Sequence, residues 1–162
     1  GDVEDQQGEP FVGPAGRLLR DALGEAGLDL ADVYVTNAVK HFKWIPRGKR
    51  RIHQKPNRDE IVACRVWLDD ELAAIKPSIV VALGATAASA LLGPQVRVTR
   101  DRGRFQETPF APFVTVTVHP SSILRARTDE ERRDARDRFV QDIRAVAERL
   151  REIPKRSTFR RV

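Results

Sequence analysis

With 162 residues the chain has room for one domain with a sizeable core, and two would be cramped. Lys and Arg outnumber Asp and Glu 29 to 23 for a net charge of +6, and no run of about 18 apolar residues occurs, which excludes a membrane-spanning helix. One Cys excludes an internal disulfide framework and a cysteine-only metal site, and with no charged-then-apolar leader the setting reads as cytoplasmic.

Taken in chain order, Gly1 opens onto an acidic, loop-like stretch and the sequence contains no Met, so it reads as a fragment. Ala15, Leu18, Leu19, Ala22, Leu23 and Ala26 recur at helical spacing between Pro14 and Gly27, which predicts an amphipathic helix over 14–26. The β-branched stretch 33–39 (VYVTNAV) predicts a strand with Asn37 near its C-terminal end. Next comes a basic loop broken by Pro46-Arg47-Gly48 and Pro56. Asn57 with Glu60 three residues on is a capping-box pattern, and Ile61, Cys64, Leu68, Leu72 and Ile75 share one face of the helix it opens, closed by Pro77. The apolar run 79–83 (IVVAL) predicts a buried strand, 85–92 a short helix, and 96–99 with 104–107 a small hairpin about Asp101-Arg102-Gly103. A second apolar strand, 114–118, runs into His119-Pro120-Ser121-Ser122. A long helix over 129–151 directs Phe139, Ile143, Val146 and Leu150 inward, and 154–162 forms a basic tail beyond a domain spanning 1–153.

Strands alternating with helices argue for an α/β fold with a mainly parallel sheet covered on both faces. Asn37, Gly84 and His119 each stand at or just past a strand's C-terminal end, where open sheets of this kind bind ligands. There is no Gly-x-Gly-x-x-Gly and no phosphate-loop lysine, which disfavours nucleotide cofactors.

Charge is concentrated. Between Lys40 and Arg58 lie eight basic residues and no acid, with Phe42 and Trp44 among them. Cations interleaved with aromatics suit a groove that holds phosphates and stacks bases, although a solvated basic loop has the same composition.

Four segments carry a family resemblance: Asp2-Val3-Glu4-Asp5 through Gly8-x-Pro10-Phe11-Val12-Gly13-x-Ala15-Gly16, then Val35-Thr36-Asn37-Ala38-Val39-Lys40, then Ala63-Cys64-Arg65, then Val118-His119-Pro120-Ser121. Together they resemble the iron-sulfur uracil-DNA glycosylases over residues 1 to about 150. Lys49-Arg50-Arg51-Ile52-His53 in an inserted basic loop is similar to the UdgX branch, whose members bind uracil in DNA and become covalently attached to it.

The resemblance implies a three-layer αβα fold whose first strand is missing from this chain, and a monomer acting on uracil-containing DNA, single-stranded by preference. It puts Phe11 against the uracil ring and Asn37 on its polar edge, where an amide offers both a donor and an acceptor. His119 would donate to uracil O2 and stabilise the leaving anion. Lys49, Arg50, Arg51, Ser121 and Ser122 would contact the DNA backbone. His53 would attack the sugar in place of water and stay attached. Asp2 and Asp5 would supply electrostatic support for the sugar cation or for His53. Position alone makes Cys64 a core residue; the resemblance makes Cys64 and His41 two of four ligands to a four-iron four-sulfur cluster, the other two lying upstream of Gly1. A turning-over glycosylase with His53 as a DNA contact, and a non-catalytic nucleic-acid-binding module, are the competing readings. Leu124 and Arg125 fit either a wedge into the DNA or an ordinary helix start.

Overall fold

The computed structural model describes residues 2–41, 43–48 and 50–154; Gly1, Phe42, Lys49 and residues 155–162 fall outside it, as do the side chains of Asp2, Val3 and Arg50. The expected basic tail therefore lies almost wholly outside the described residues.

A three-stranded sheet organises the domain. Strand β3 (Ile79–Leu83) pairs in parallel with β5 (Ala111–Thr117), Ile79 opposite Phe113 and Leu83 opposite Thr117, and β4 (Gln106–Thr108) lies antiparallel on the other side of β5. A separate antiparallel ribbon is formed by β1 (Trp44–Arg47) and β2 (Arg50–His53). The helices are α1 (Asp2–Gln7), α2 (Pro14–Glu25), α3 (Arg58–Ile75), α4 (Gly84–Leu92), α5 (Val98–Asp101), α6 (Pro120–Leu124) and α7 (Asp129–Glu152). None of the described helices is long and apolar enough to cross a membrane.

Alternation along the paired strands builds two cores. Ala82 and Val116, directly opposite in the ladder, pack with Ala88 of α4 and with Val96 and Val98. On the other face Leu83 and Val118 pack against Leu19, Leu23, Ile123, Phe139 and Ile143 of α2, α6 and α7. The β3–β5 pair is thus covered on both sides, the expected mixed, mainly parallel α/β arrangement. Thr117 keeps its hydroxyl inside this layer by donating to Asp142 of α7, which also accepts from Arg102 Nε and Nη2 at 3.0 and 2.7 Å.

Helix starts follow the local chemistry. Both halves of the capping box form at α3, Glu60 N–H to Asn57 Oδ1 at 2.9 Å and Asn57 N–H to Glu60 Oε2 at 2.7 Å. α7 repeats the device with Thr128 and Glu131, and its acidic first turn and basic last turn suit the helix dipole.

Four expectations require correction. Residues 33–39 form no strand: the segment is extended and Val33 and Val35 pack on the core, but a strand needs a ladder partner and none pairs with it among the described residues. The basic loop is in part the β1–β2 ribbon, with Gly48 at φ +58 in its turn and Pro46 tolerated because a two-stranded ribbon has outward-facing edges. No hairpin joins 96–99 to 104–107. Arg97 N–H bonds the Asp101 carboxylate at 2.8 Å and closes a helical turn, α5, so that β4 begins later and pairs with β5. Leu150 and Ile75, assigned inward, are 37% and 41% exposed, because each sits at a helix end past the last neighbour.

Candidate active site

Two parallel strand ends create the centre of the site. β3 ends at Gly84 and β5 runs into His119, and these residues touch: a Cβ on Gly84 would meet His119 Cβ at 2.9 Å, and Gly84 holds φ +85. Only glycine meets both demands.

His119 caps α6 with its own ring. Nδ1 accepts the Ser121 backbone N–H at 3.1 Å and lies 2.8 Å from Ser121 Oγ. An accepting Nδ1 puts the proton of the neutral ring on Nε2, leaving an N–H donor directed away from the helix. Burial lowers the His119 pKa, the nearby Arg125 cation adds to this, and Glu4 opposes it. The ring is therefore neutral at pH 7. Ser121 and Ser122, expected on phosphates, both bond His119 here, Ser122 Oγ donating to the His119 carbonyl at 2.7 Å.

Phe11 stacks on this imidazole, centroid to centroid 5.3 Å with 29° between planes. Its backbone sits at φ +58, unfavourable for a bulky side chain, and the surroundings enforce it. Arg20 Nη1 donates to the Phe11 carbonyl at 3.0 Å, and that carbonyl fills the space beside Gly16, where a Cβ would lie 1.5 Å from the oxygen. Gly16→Ala should therefore cost about 3 kcal/mol by forced repacking, read as a lower urea midpoint at unchanged slope, and should displace Phe11.

The acidic opening also has a specific geometry. Gly13 N–H donates to Glu4 Oε1 at 3.1 Å. Burial pushes the Glu4 carboxyl upward, hydrogen bonds from the backbone N–H groups of Glu4 and Gly13 and the charge of the terminal amino group act the other way, and the pKa lies below the ordinary value. Glu4 is thus a carboxylate in the field of His119. Sequence reasoning chose Asp2 and Asp5 and missed Glu4; the signal was present in the Glu-to-Gly13 spacing, which lets one carboxylate reach a backbone donor across the turn. Asp5 is instead paired with Arg51, Oδ2 to Nη1 2.8 Å. The Asp2 side chain lies outside the described residues.

That ion pair docks the ribbon on α1. Arg51 also lies over Trp44 at 5.4 Å from the ring centroid, and Trp44 stands opposite His53 in the ladder. His53 is exposed yet shares the field of the site. Partial burial and Arg125 lower its pKa, and its charge in turn lowers that of His119. The structure thus brings Phe11, His119, Glu4, Arg125 and the ribbon's His53 into one region. The sequence reads Arg125 only as a wedge with Leu124 or as a helix start; the structure puts its charge near both histidines. Asn37 is exposed at the end of the 33–37 segment, and Lys49 and the Arg50 side chain lie outside the described residues.

A second constellation joins the ribbon's root to α3. His41 Nδ1 and Cys64 Sγ are 3.4 Å apart. Flanking them, Lys40 pairs with Glu71 at 2.6 Å and Lys43 with Glu60 at 2.8 Å. Thiolate and imidazole suit iron, and two such groups meeting fit half of a four-ligand set; among the described residues no group of three or more His, Cys, Asp or Glu converges.

Residues 1–144 match the uracil DNA glycosylase superfamily. The chain is 40% identical over 134 residues to a type-4 uracil-DNA glycosylase of Thermotoga maritima, covering 82% of this chain and 66% of the relative. A type-4 uracil-DNA glycosylase of Pyrobaculum aerophilum is 36% identical over 132 residues, 77% of this chain and 64% of that protein. One of Archaeoglobus fulgidus is 32% identical over 152 residues, 90% and 70%. The chain thus spans about two-thirds of the length of the curated relatives it matches. On this match, and on the site its segments build, the chain belongs to the uracil DNA glycosylase superfamily.

Proposed function

We propose that the protein takes uracil out of DNA, preferably single-stranded, by breaking the bond between sugar C1′ and base N1, and that His53 then captures the sugar. The observation that carries this reading is the meeting of Phe11, a neutral His119 and Glu4 at the strand ends, with His53 of the ribbon in the electrostatic field of His119.

The extruded base stacks on Phe11, and Asn37 reads its amide-like edge. His119 donates Nε2–H to uracil O2, where negative charge grows as the C1′–N1 electron pair departs with the base. Glu4, held ionised, faces the sugar cation. A ring nitrogen of His53 bearing a lone pair forms the new bond to C1′. The ring's other nitrogen then loses its proton to the uracil anion or to water, leaving a neutral alkylated imidazole. Such a group is poorly expelled, so turnover stops at one event.

His41 and Cys64 are two ligands of a four-iron four-sulfur cluster in this reading. When bound, the cluster supplies a rigid link between the ribbon's root and α3.

The test mixes protein with uracil- or thymine-containing single strands, boils in detergent and separates on a denaturing gel while counting released uracil. A boiling-stable band with one uracil per protein supports the reading. Free uracil in large excess makes the protein a turning-over glycosylase, and neither product leaves a binding module.

The lowered His53 pKa fixes the pH dependence. Capture needs the neutral ring, so its rate holds level below the ordinary imidazole value near 6.5 and falls only as pH drops through the depressed pKa. Removing a neighbouring cation raises that pKa. Arg125→Gln should therefore move the acid limb of the capture rate to higher pH, slowing capture near pH 6 and leaving it least affected at pH 8.

A further inference from the structure

We propose that Trp44 forms a stacking subsite for the nucleobase adjacent to the uracil in a single strand. This rests on the reading just given and adds to it a second point of contact with the substrate.

The ladder register fixes the geometry. Trp44 and His53 are directly opposed across β1 and β2, so their side chains leave the same face of the ribbon. Arg51, two residues before His53, shares that face, and its guanidinium lies 5.4 Å from the Trp44 ring centroid while Nη1 pairs with Asp5. The indole is therefore held beside His53 by a cation that is itself anchored to α1. Opposed Cβ atoms in such a pair lie about 5 Å apart, a separation that neighbouring nucleotides of a flexible single strand can span. A sugar at His53 puts the next base within reach of Trp44.

Exposure and charge identify the occupant. Trp44 is 43% exposed, an aromatic face left in water on the most basic segment of the chain. The other tryptophan, Trp67, is 61% exposed and lines a surface hollow with Asp70, Glu71 and Lys40, the last paired with Glu71. The Trp44 surface combines an aromatic face with a guanidinium over the ring and a basic surrounding sequence. Nucleobases stack on aromatic rings without regard to sequence, and cations at the rim take the flanking phosphates. A flanking base held on Trp44 cannot stay paired within a duplex, so the subsite also supplies a reason for single-strand preference.

The experiment is a cycle between protein and DNA. Capture rate and affinity are measured for the protein and for Trp44→Ala and Trp44→Phe. The oligonucleotides have an intact sequence or an abasic spacer on the 5′ or the 3′ side of the uracil. Trp44→Ala should weaken binding roughly tenfold on the intact strand and have no effect when the spacer occupies the side that Trp44 reads, with Trp44→Phe close to the parent. A Trp67→Phe background makes Trp44 the only indole, and its fluorescence should be quenched by the intact strand and less by that spacer strand. Equal loss on all strands, or no loss on any, overturns the subsite. If the parent protein excises and captures uracil normally while the cycle shows no coupling, the subsite alone fails. If the parent releases no uracil from any strand, the underlying reading falls and takes the subsite with it.

Discussion

Replacing His53 with alanine is expected to remove the boiling-stable DNA adduct below detection while uracil continues to be released, now beyond one equivalent per protein. The reasoning separates two steps by the residues that serve them. In the proposed reaction excision depends on groups fixed to the sheet and to α1: Phe11, His119 and Glu4. Capture depends on a nucleophile carried by the ribbon. Removing the imidazole leaves the first set untouched and returns the sugar cation to water, whose product dissociates. Denaturing gels report the adduct and chromatography reports free uracil, so the two are scored independently. An adduct surviving in His53→Ala would reassign the nucleophile, and loss of both products would mean that the ribbon assembles the pocket itself.

His119→Ala should slow uracil release by about a hundredfold to a thousandfold, the usual effect of deleting one donor aimed at a developing oxyanion. The loss should appear in the rate of release at saturating protein rather than in affinity for the strand, because uracil O2 accepts only a modest hydrogen bond while the base is neutral and a much stronger one as the departing anion. Capture should fall in parallel, since no cation forms for His53 to attack. Single-turnover release of labelled uracil measures it. A variant with near-normal release would reduce His119 to the cap of α6, a role its Nδ1 already fills.

Much of the fold was legible because local chemistry decided it. The capping boxes at Asn57 and Thr128, Pro14 at a helix start and the apolar runs of β3 and β5 act within a few residues, and each formed its element. What escaped depends on distant partners. The 33–39 segment has strand composition, but strand formation is a property of a pair. The β1–β2 ribbon was hidden by Pro46 and by a lack of alternation, since its faces meet charges and water and not a core. Of the residues singled out by the family resemblance, the structure brings Phe11 to His119 and His41 to Cys64. Glu4 was missed because three acids in four residues look alike in a list, and only the Gly13 N–H distinguishes one of them. The bonds from Ser121 and Ser122 to His119 depend on the geometry of the turn that opens α6, which composition does not show.

The short helix α1 holds Glu4 in the pocket and, one residue later, Asp5 on the ribbon. In the proposed reaction recognition and capture share a single turn, and their free energies are linked. Whatever factor a bound uracil contributes to ribbon docking, the docked ribbon must return to uracil affinity. A base that fits the pocket poorly then also docks the ribbon poorly, and discrimination exercised once at the pocket is counted a second time at the irreversible step. Selectivity in such a protein exceeds what pocket contacts alone supply, without any contact between His53 and the base.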